Sequence, residues 1–156
     1  MLDSPQQLRC GESKPMIKRW GRTGMDRKTA RAHAMKLIYE WEMGGEGGEE
    51  TRMNLLGVEP GESESEYMNS MFSGVVSRVE EIDGRISEFS KGWSLERITR
   101  VDLAILRLGT YELMLGKVPA GVVINEAVEL ANAYSTDKAG AFINGVLGNI
   151  SRGAAH

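Results

Sequence analysis

The sequence has few of the side chains that build covalent or metal frameworks. Cys10 is its single cysteine, so no disulfide can close within the chain, which fits a reducing compartment. The two histidines, His33 and His156, lie far apart and with one cysteine give no metal cluster. No apolar run approaches the roughly 18 residues that a membrane-spanning helix needs. The polar N-terminus lacks the apolar segment of a secretory signal, so a cytoplasmic location is expected. No segment alternates convincingly between apolar and polar residues as a half-buried strand does, and no internal repeat recurs at solenoid periods. These absences leave an all-α reading.

At 156 residues and 41% hydrophobic content, the chain is long enough for one domain with a proper core. Its net charge of −3 hides an uneven distribution. Between Lys14 and Lys36 eight lysines or arginines stand against one acid, Asp26; between Glu40 and Glu66 nine acids stand against Arg52 alone. A basic arm beside an acidic loop region hints at nucleic acid, although a solvated arm without a partner has the same composition. Residues 1–24, with Pro5, Pro15 and scattered glycines, read as a disordered basic extension, and Met25 as a natural start for the domain.

Helical periodicity then runs almost to the end of the chain. A first helix over 26–43 takes Asp26 as its N-cap and places Ala30, Ala34, Leu37, Ile38 and Trp41 on one face. Arg27, Lys28 and Arg31 crowd its first turns, where three cations oppose the helix dipole unless a polyanion neutralises them. Gly44 to Gly48 stops it; an acidic linker follows, with room for a short helix over 49–56. A helix over 63–82 turns Met68, Met71, Phe72, Val75, Val76 and Val79 inward, and a shorter one over 83–91 buries Ile86 and Phe89, with Trp93 packing behind Gly92. Ser94 opens a brief turn. Thr99 and Asp102 form a capping-box-like start for a helix over 100–115, which is apolar nearly all round and should lie at the centre; Gly116 ends it.

The last third, 118–150, reads as two helices joined by one turn. Pro119 opens the first, with Val123, Ala127, Leu130, Ala131 and Tyr134 on its apolar face. Ser135 or Thr136 is placed to cap the second, with Asp137 in its first turn and Phe142, Ile143, Val146, Leu147 and Ile150 as its stripe. Asn125 and Asn144 interrupt these faces and are expected to be buried, hydrogen-bonded connectors. Gly145 is expected where another backbone passes close by.

Catalytic patterns are incomplete. Ser135 to Lys138 spells the S-x-x-K of penicillin-binding enzymes, but the partner motifs are missing and the serine suits a helix cap. Gly109 to Lys117 has the wrong spacing for a phosphate loop. His33 reads as a surface residue, and Glu126 and Glu129 as carboxylates on a solvated face. Neither an active site, a metal nor a cofactor is expected.

The wording of the last third also carries a resemblance. Val118-Pro119, Ile-Asn-Glu-Ala-Val-Glu-Leu-Ala at 124–131, Ser-Thr-Asp-Lys at 135–138 and Phe-Ile-Asn-Gly-Val-Leu at 142–147 resemble the NusB transcription antitermination family. The likeness extends through 101–113 and 27–43, and so over most of 25–152. It implies a compact bundle of about six to seven helices in two packed three-helix halves. It also implies a protein that binds boxA-type leader RNA of ribosomal-RNA operons with ribosomal protein NusE and helps load an antitermination complex on RNA polymerase. Carried over by position, it gives Arg27, Lys28, Arg31 and Lys138 as phosphate contacts and Phe142 as either a base-stacking ring or core. Tyr39, Met43, Glu96 and Asp102 face NusE on the same grounds, although Tyr39 and Met43 equally suit the core.

Two departures from the family pattern stand out. Ala141 occupies a position that is often basic, and Ala120 and Gly121 stand where larger or basic side chains are common after the Val-Pro pair. They keep alternatives open: a helical scaffold, possibly homodimeric, with little RNA binding of its own, or the detached RNA-binding module of a ribosomal-RNA cytosine methyltransferase. The latter needs a cofactor-binding domain fused after it, and this sequence ends at His156.

Overall fold

The computed structural model describes residues 26–44 and 62–154, and every described element is helical. In chain order these are α1 (Arg27–Glu42), α2 (Glu62–Ser77), α3 (Val79–Phe89), one 3-10 turn (Leu95–Arg97), α4 (Arg100–Leu115), α5 (Ala120–Tyr134) and α6 (Ala139–Ala154). The extension over 1–24 and the short helix over 49–56 lie outside the described residues.

Two of the caps written in the sequence are in place. The Asp26 carboxylate accepts from the Thr29 N–H at 2.8 Å and starts α1. The Thr99 hydroxyl accepts from the Asp102 N–H at 3.2 Å and starts α4. Gly116 then ends α4 in the left-handed region at φ 69°, which costs a residue without Cβ almost nothing.

By chain order the bundle divides into α1–α3 and α4–α6. The centre is α4, which packs against each of the other five helices. Leu103, Ala104, Ile105, Leu106 and Leu108 are all buried along it, as its all-round apolar sequence requires. Leu37 and Ile38 of α1, Ile82 and Ile86 of α3, and Ile143, Leu147 and Ile150 of α6 complete the core. Each such side chain contributes about 1.5–3 kcal/mol when fully buried.

Several expectations need correction. The helix expected over 63–82 is broken: Arg78 leaves helical geometry at φ −119° and ψ 23°, and α3 starts at Val79. Beside the break, the Ser77 hydroxyl donates to the Gly74 carbonyl at 3.2 Å, a local bond that competes with the helical ladder. Asn125 and Asn144 are exposed, since each lies one step around its helix from the buried stripe. Gly145 has nothing within 4 Å of where a Cβ would stand, so no backbone crowds it. Tyr134 is exposed with Lys36 Nζ 4.8 Å above its ring, while His33 is buried. The Ser135 hydroxyl donates to Asp102 Oδ1 at 2.6 Å, tying the turn before α6 to the first turn of α4. Asp137 precedes α6, whose first turn carries no acid.

Candidate nucleic-acid interface

The three cations at the start of α1 have different environments. Arg31 is buried, and its Nε and Nη2 donate to the two carboxylate oxygens of Glu112 on α4 at 2.9 and 3.0 Å. Burial works against its charge, but the bonds to Glu112 outweigh that and push its pKa up. Arg31 therefore pins α1 to α4 and does not face the solvent from which a phosphate would approach. Arg27 remains exposed, its guanidinium 4.4 Å from the ring centroid of Tyr67 on α2. The buried Tyr67 hydroxyl has no hydrogen-bond partner, and burial, followed by Glu112, pushes its pKa up.

Lys28 is exposed and leans onto α5, where its ammonium bonds Glu129 and lies 3.4 Å from Glu126. The bond to Glu129 raises the Lys28 pKa, and the same bond holds the Glu129 carboxyl below the usual range. Asn125, one turn before Glu129, donates to its other oxygen at 3.3 Å.

From Asn125 the surface continues as an open cleft of about 600 Å³ between α5 and α6. Asn125, Asn132, Asn144 and Asp137 give it hydrogen-bonding groups, while Gly121, Gly140 and Ala141 keep it open. A Cβ on Gly140 would stand 3.2 Å from Asn132 Oδ1, so the glycine leaves room for that amide. Two of the small residues set apart in the sequence, Gly121 and Ala141, thus border a polar cleft.

Ala141 also borders a second cavity, of about 250 Å³, that contains Lys91, Trp93 and Phe142. The same two rings line a third, of about 270 Å³, with Arg97, Thr136 and Lys138 also in its lining. Phe142 is only partly buried: it packs on the core, and its ring centroid is 5.9 Å from that of Trp93. Trp93 was expected to pack inside and is instead 50% exposed. The signal was its place in a Gly-Trp-Ser turn between two short elements, too short to bury an indole.

The residues expected to face NusE are dispersed. Met43 is exposed at the end of α1, Tyr39 is half-buried, and Glu96 is exposed on the 3-10 turn. Asp102 is buried and accepts from Ser135. Sequence reasoning missed the ionic cluster near Met43. There the buried Arg107 forks onto Asp83 with two bonds of 2.9 Å and also reaches Glu42, which in turn meets Arg100. An arginine in the middle of an otherwise apolar helix was the available sign.

These features describe a small all-helical protein with a cationic helix start, an amide-lined cleft and an aromatic wall in one strip. Among the described residues no group of three His, Cys, Asp or Glu side chains is placed to hold a metal ion, and no helix is long and apolar enough to cross a membrane.

The pattern of the NusB family matches residues 28–152. The transcription antitermination protein NusB of Acetivibrio thermocellus is 48% identical over 128 residues, covering 81% of this chain and 88% of that protein. The Syntrophotalea carbinolica protein of the same name is 44% identical over 147 residues, covering 81% and 92%. Among solved structures, T. maritima NusB superposes with a TM-score of 0.73 at 31% identity, over 82% of this chain and 92% of that one. A chain from a complex of antitermination factors NusB and NusE with double-stranded RNA superposes at 0.73 and 32% identity, over 81% and 96%. The chain belongs to the NusB family.

Proposed function

We propose that this chain is a cytoplasmic transcription antitermination factor that binds unpaired boxA-type leader RNA of ribosomal-RNA operons jointly with ribosomal protein NusE, as part of an antitermination complex on RNA polymerase. The binding unit is 25–152, with 1–24 as an extension. The observation that carries this reading is the continuity of the strip. Lys28 adjoins Glu129 and Asn125, Asn125 shares the α5–α6 cleft with Ala141, and Ala141 borders the cavity of Phe142. Cations for phosphates, amides for base edges and a ring for stacking are the groups that recognise a single strand.

In this reading Arg27, Lys28 and Lys138 meet phosphates and Phe142 meets a base, while Arg31 acts indirectly by fixing α1 in place. Exposed Met43 and Glu96, with half-buried Tyr39, supply the NusE side. Asp102 contributes to that side by ordering the turn that Ser135 closes. With small residues at Ala120, Gly121 and Ala141, binding to RNA alone is weak. NusE tightens it, because a partner touching both molecules makes the second contact effectively intramolecular.

The test is the dissociation constant for a labelled leader RNA, measured by fluorescence anisotropy with and without saturating NusE. The reading expects tighter binding with NusE and a preference for the boxA sequence over a scrambled one. An affinity that NusE leaves unchanged, or no preference between the two sequences, overturns it.

A further inference from the structure

We infer that Trp93 and Phe142 form a stacking wall for unpaired RNA bases, with Lys91 in one of the two cavities they line, and Arg97 and Lys138 in the other, serving the phosphates. This rests on the RNA-binding reading and adds Trp93, which that reading does not need.

A half-exposed indole is a costly surface group unless something covers it. This one is held firmly. The buried Ser90 donates its hydroxyl to the Trp93 carbonyl at 2.7 Å, and Lys91 and Gly92 turn the chain in the left-handed region at φ 48° and 92°. The two rings meet at 60°, not face to face. A tilted pair leaves ring faces uncovered, and both rings line each of two cavities, of about 270 and 250 Å³.

Charge decides what fits there. Among the described residues Lys91, Arg97 and Lys138 enter no ion pair, as Lys36, Lys117 and Arg152 elsewhere on the surface do not, whereas Lys28, Arg31, Arg78, Arg85, Arg100 and Arg107 each hold a carboxylate. The acid that lines the larger of these two cavities, Asp102, is buried and bonded to Ser135. Unpaired cations around an aromatic surface match a ligand that alternates flat rings with anions, which is a nucleic-acid strand. The strand must be single, because a duplex keeps its bases stacked on one another.

The experiment uses the full chain and a short single-stranded leader RNA carrying 2-aminopurine at successive positions. For the wild type, fluorescence should be quenched on binding at two neighbouring positions. Trp93→Ala and Trp93→Leu should each lose that quenching and weaken binding by about 5- to 150-fold, the range for losing one base–aromatic stack. Trp93→Phe should retain most of the affinity. Unchanged thermal unfolding reports an intact fold, and the leucine variant keeps apolar bulk at the site should alanine disturb it. Wild-type affinity in the leucine variant, or no quenched position in the wild type, overturns the inference and leaves the RNA reading standing. A variant that keeps RNA affinity but loses NusE makes the wall a protein contact and overturns it too. If the wild type binds no RNA even with NusE, the functional reading itself falls, and the wall with it.

Discussion

Arg31 on α1 and Glu112 on α4, 81 positions apart in sequence, face each other through two parallel hydrogen bonds with both side chains buried. A buried pair of this kind is poor evidence of net stabilisation, since taking two charges out of water costs several kcal/mol per ion. Removing one partner is another matter, because it strands the other charge. Arg31→Ala or Glu112→Ala should therefore lower stability by about 3–5 kcal/mol in chemical denaturation. An apolar pair, Arg31→Met with Glu112→Leu, should recover most of the loss. Near-wild-type stability of either single alanine variant would show that the pair does not hold α1 in place.

How much could be read beforehand depended on the range of the forces involved. The helix α4 was legible from end to end because everything that defines it is local: the Thr99 cap, the apolar residues all round and Gly116. The break at Arg78 was not, since Ser77 and Gly74 look like ordinary helix residues until the hydroxyl bonds the carbonyl. Arg31 and Lys28 are three residues apart and chemically alike, yet one is buried and the other exposed. What separates them is the approach of Glu112 from α4, a long-range contact that no local pattern encodes. Asn144 failed on angle: Ile143, Val146, Leu147 and Ile150 make the buried stripe, and the next position round the helix already faces the cleft. The family likeness supplied Lys28 and Phe142 as candidate interface residues, whereas the place of the amides in the cleft and the exposure of Trp93 came only from the packed structure.

His33 gives the molecule a pH dependence. It is buried, and its Nδ1 has no hydrogen-bond partner. Burial, with Lys36 nearby, lowers its pKa below the ordinary 6.5. The folded state thus resists a proton that the unfolded chain accepts once pH falls below 6.5. Stability should decline as pH drops below that value, and the loss is complete only below the folded pKa. Thermal unfolding of the wild type should fall through this window more steeply than that of His33→Gln, which cannot titrate. Parallel curves for the two proteins would assign the acid sensitivity to other groups.

Two helical glycines should respond oppositely to alanine. A Cβ on Gly74 of α2 would stand 2.1 Å from the Tyr111 ring on α4, so the glycine is what lets these helices approach. Gly74→Ala should destabilise by about 1–3 kcal/mol, the usual range for forced overpacking. Gly145 on α6 is exposed and has open space at the same position. Gly145→Ala should stabilise by about 0.4–1 kcal/mol, because it restricts the unfolded chain without meeting anything in the folded one. A denaturant midpoint that rises for Gly74→Ala would contradict the packing at Gly74, and one that falls for Gly145→Ala would contradict the open space at Gly145.

Lys28 at the start of α1 is exposed and already bound to carboxylates, and this shapes its expected behaviour toward RNA. A phosphate must compete with Glu129 and Glu126 for the same ammonium. Lys28→Ala should flatten the dependence of log affinity on log salt by about 0.7, the contribution of one phosphate on a single strand. Affinity for matched and scrambled leader RNA should fall by similar factors, since phosphate contacts carry no sequence information. Glu129→Gln should do the reverse, freeing the ammonium and tightening binding to both RNAs. Arg31→Ala offers the contrast: if its guanidinium only holds α1 against Glu112, the salt slope stays at the wild-type value wherever the variant remains folded. A slope that drops in Arg31→Ala but not in Lys28→Ala would mean that RNA draws the buried arginine out of its pair, and the cationic surface of α1 would have to be redrawn around it.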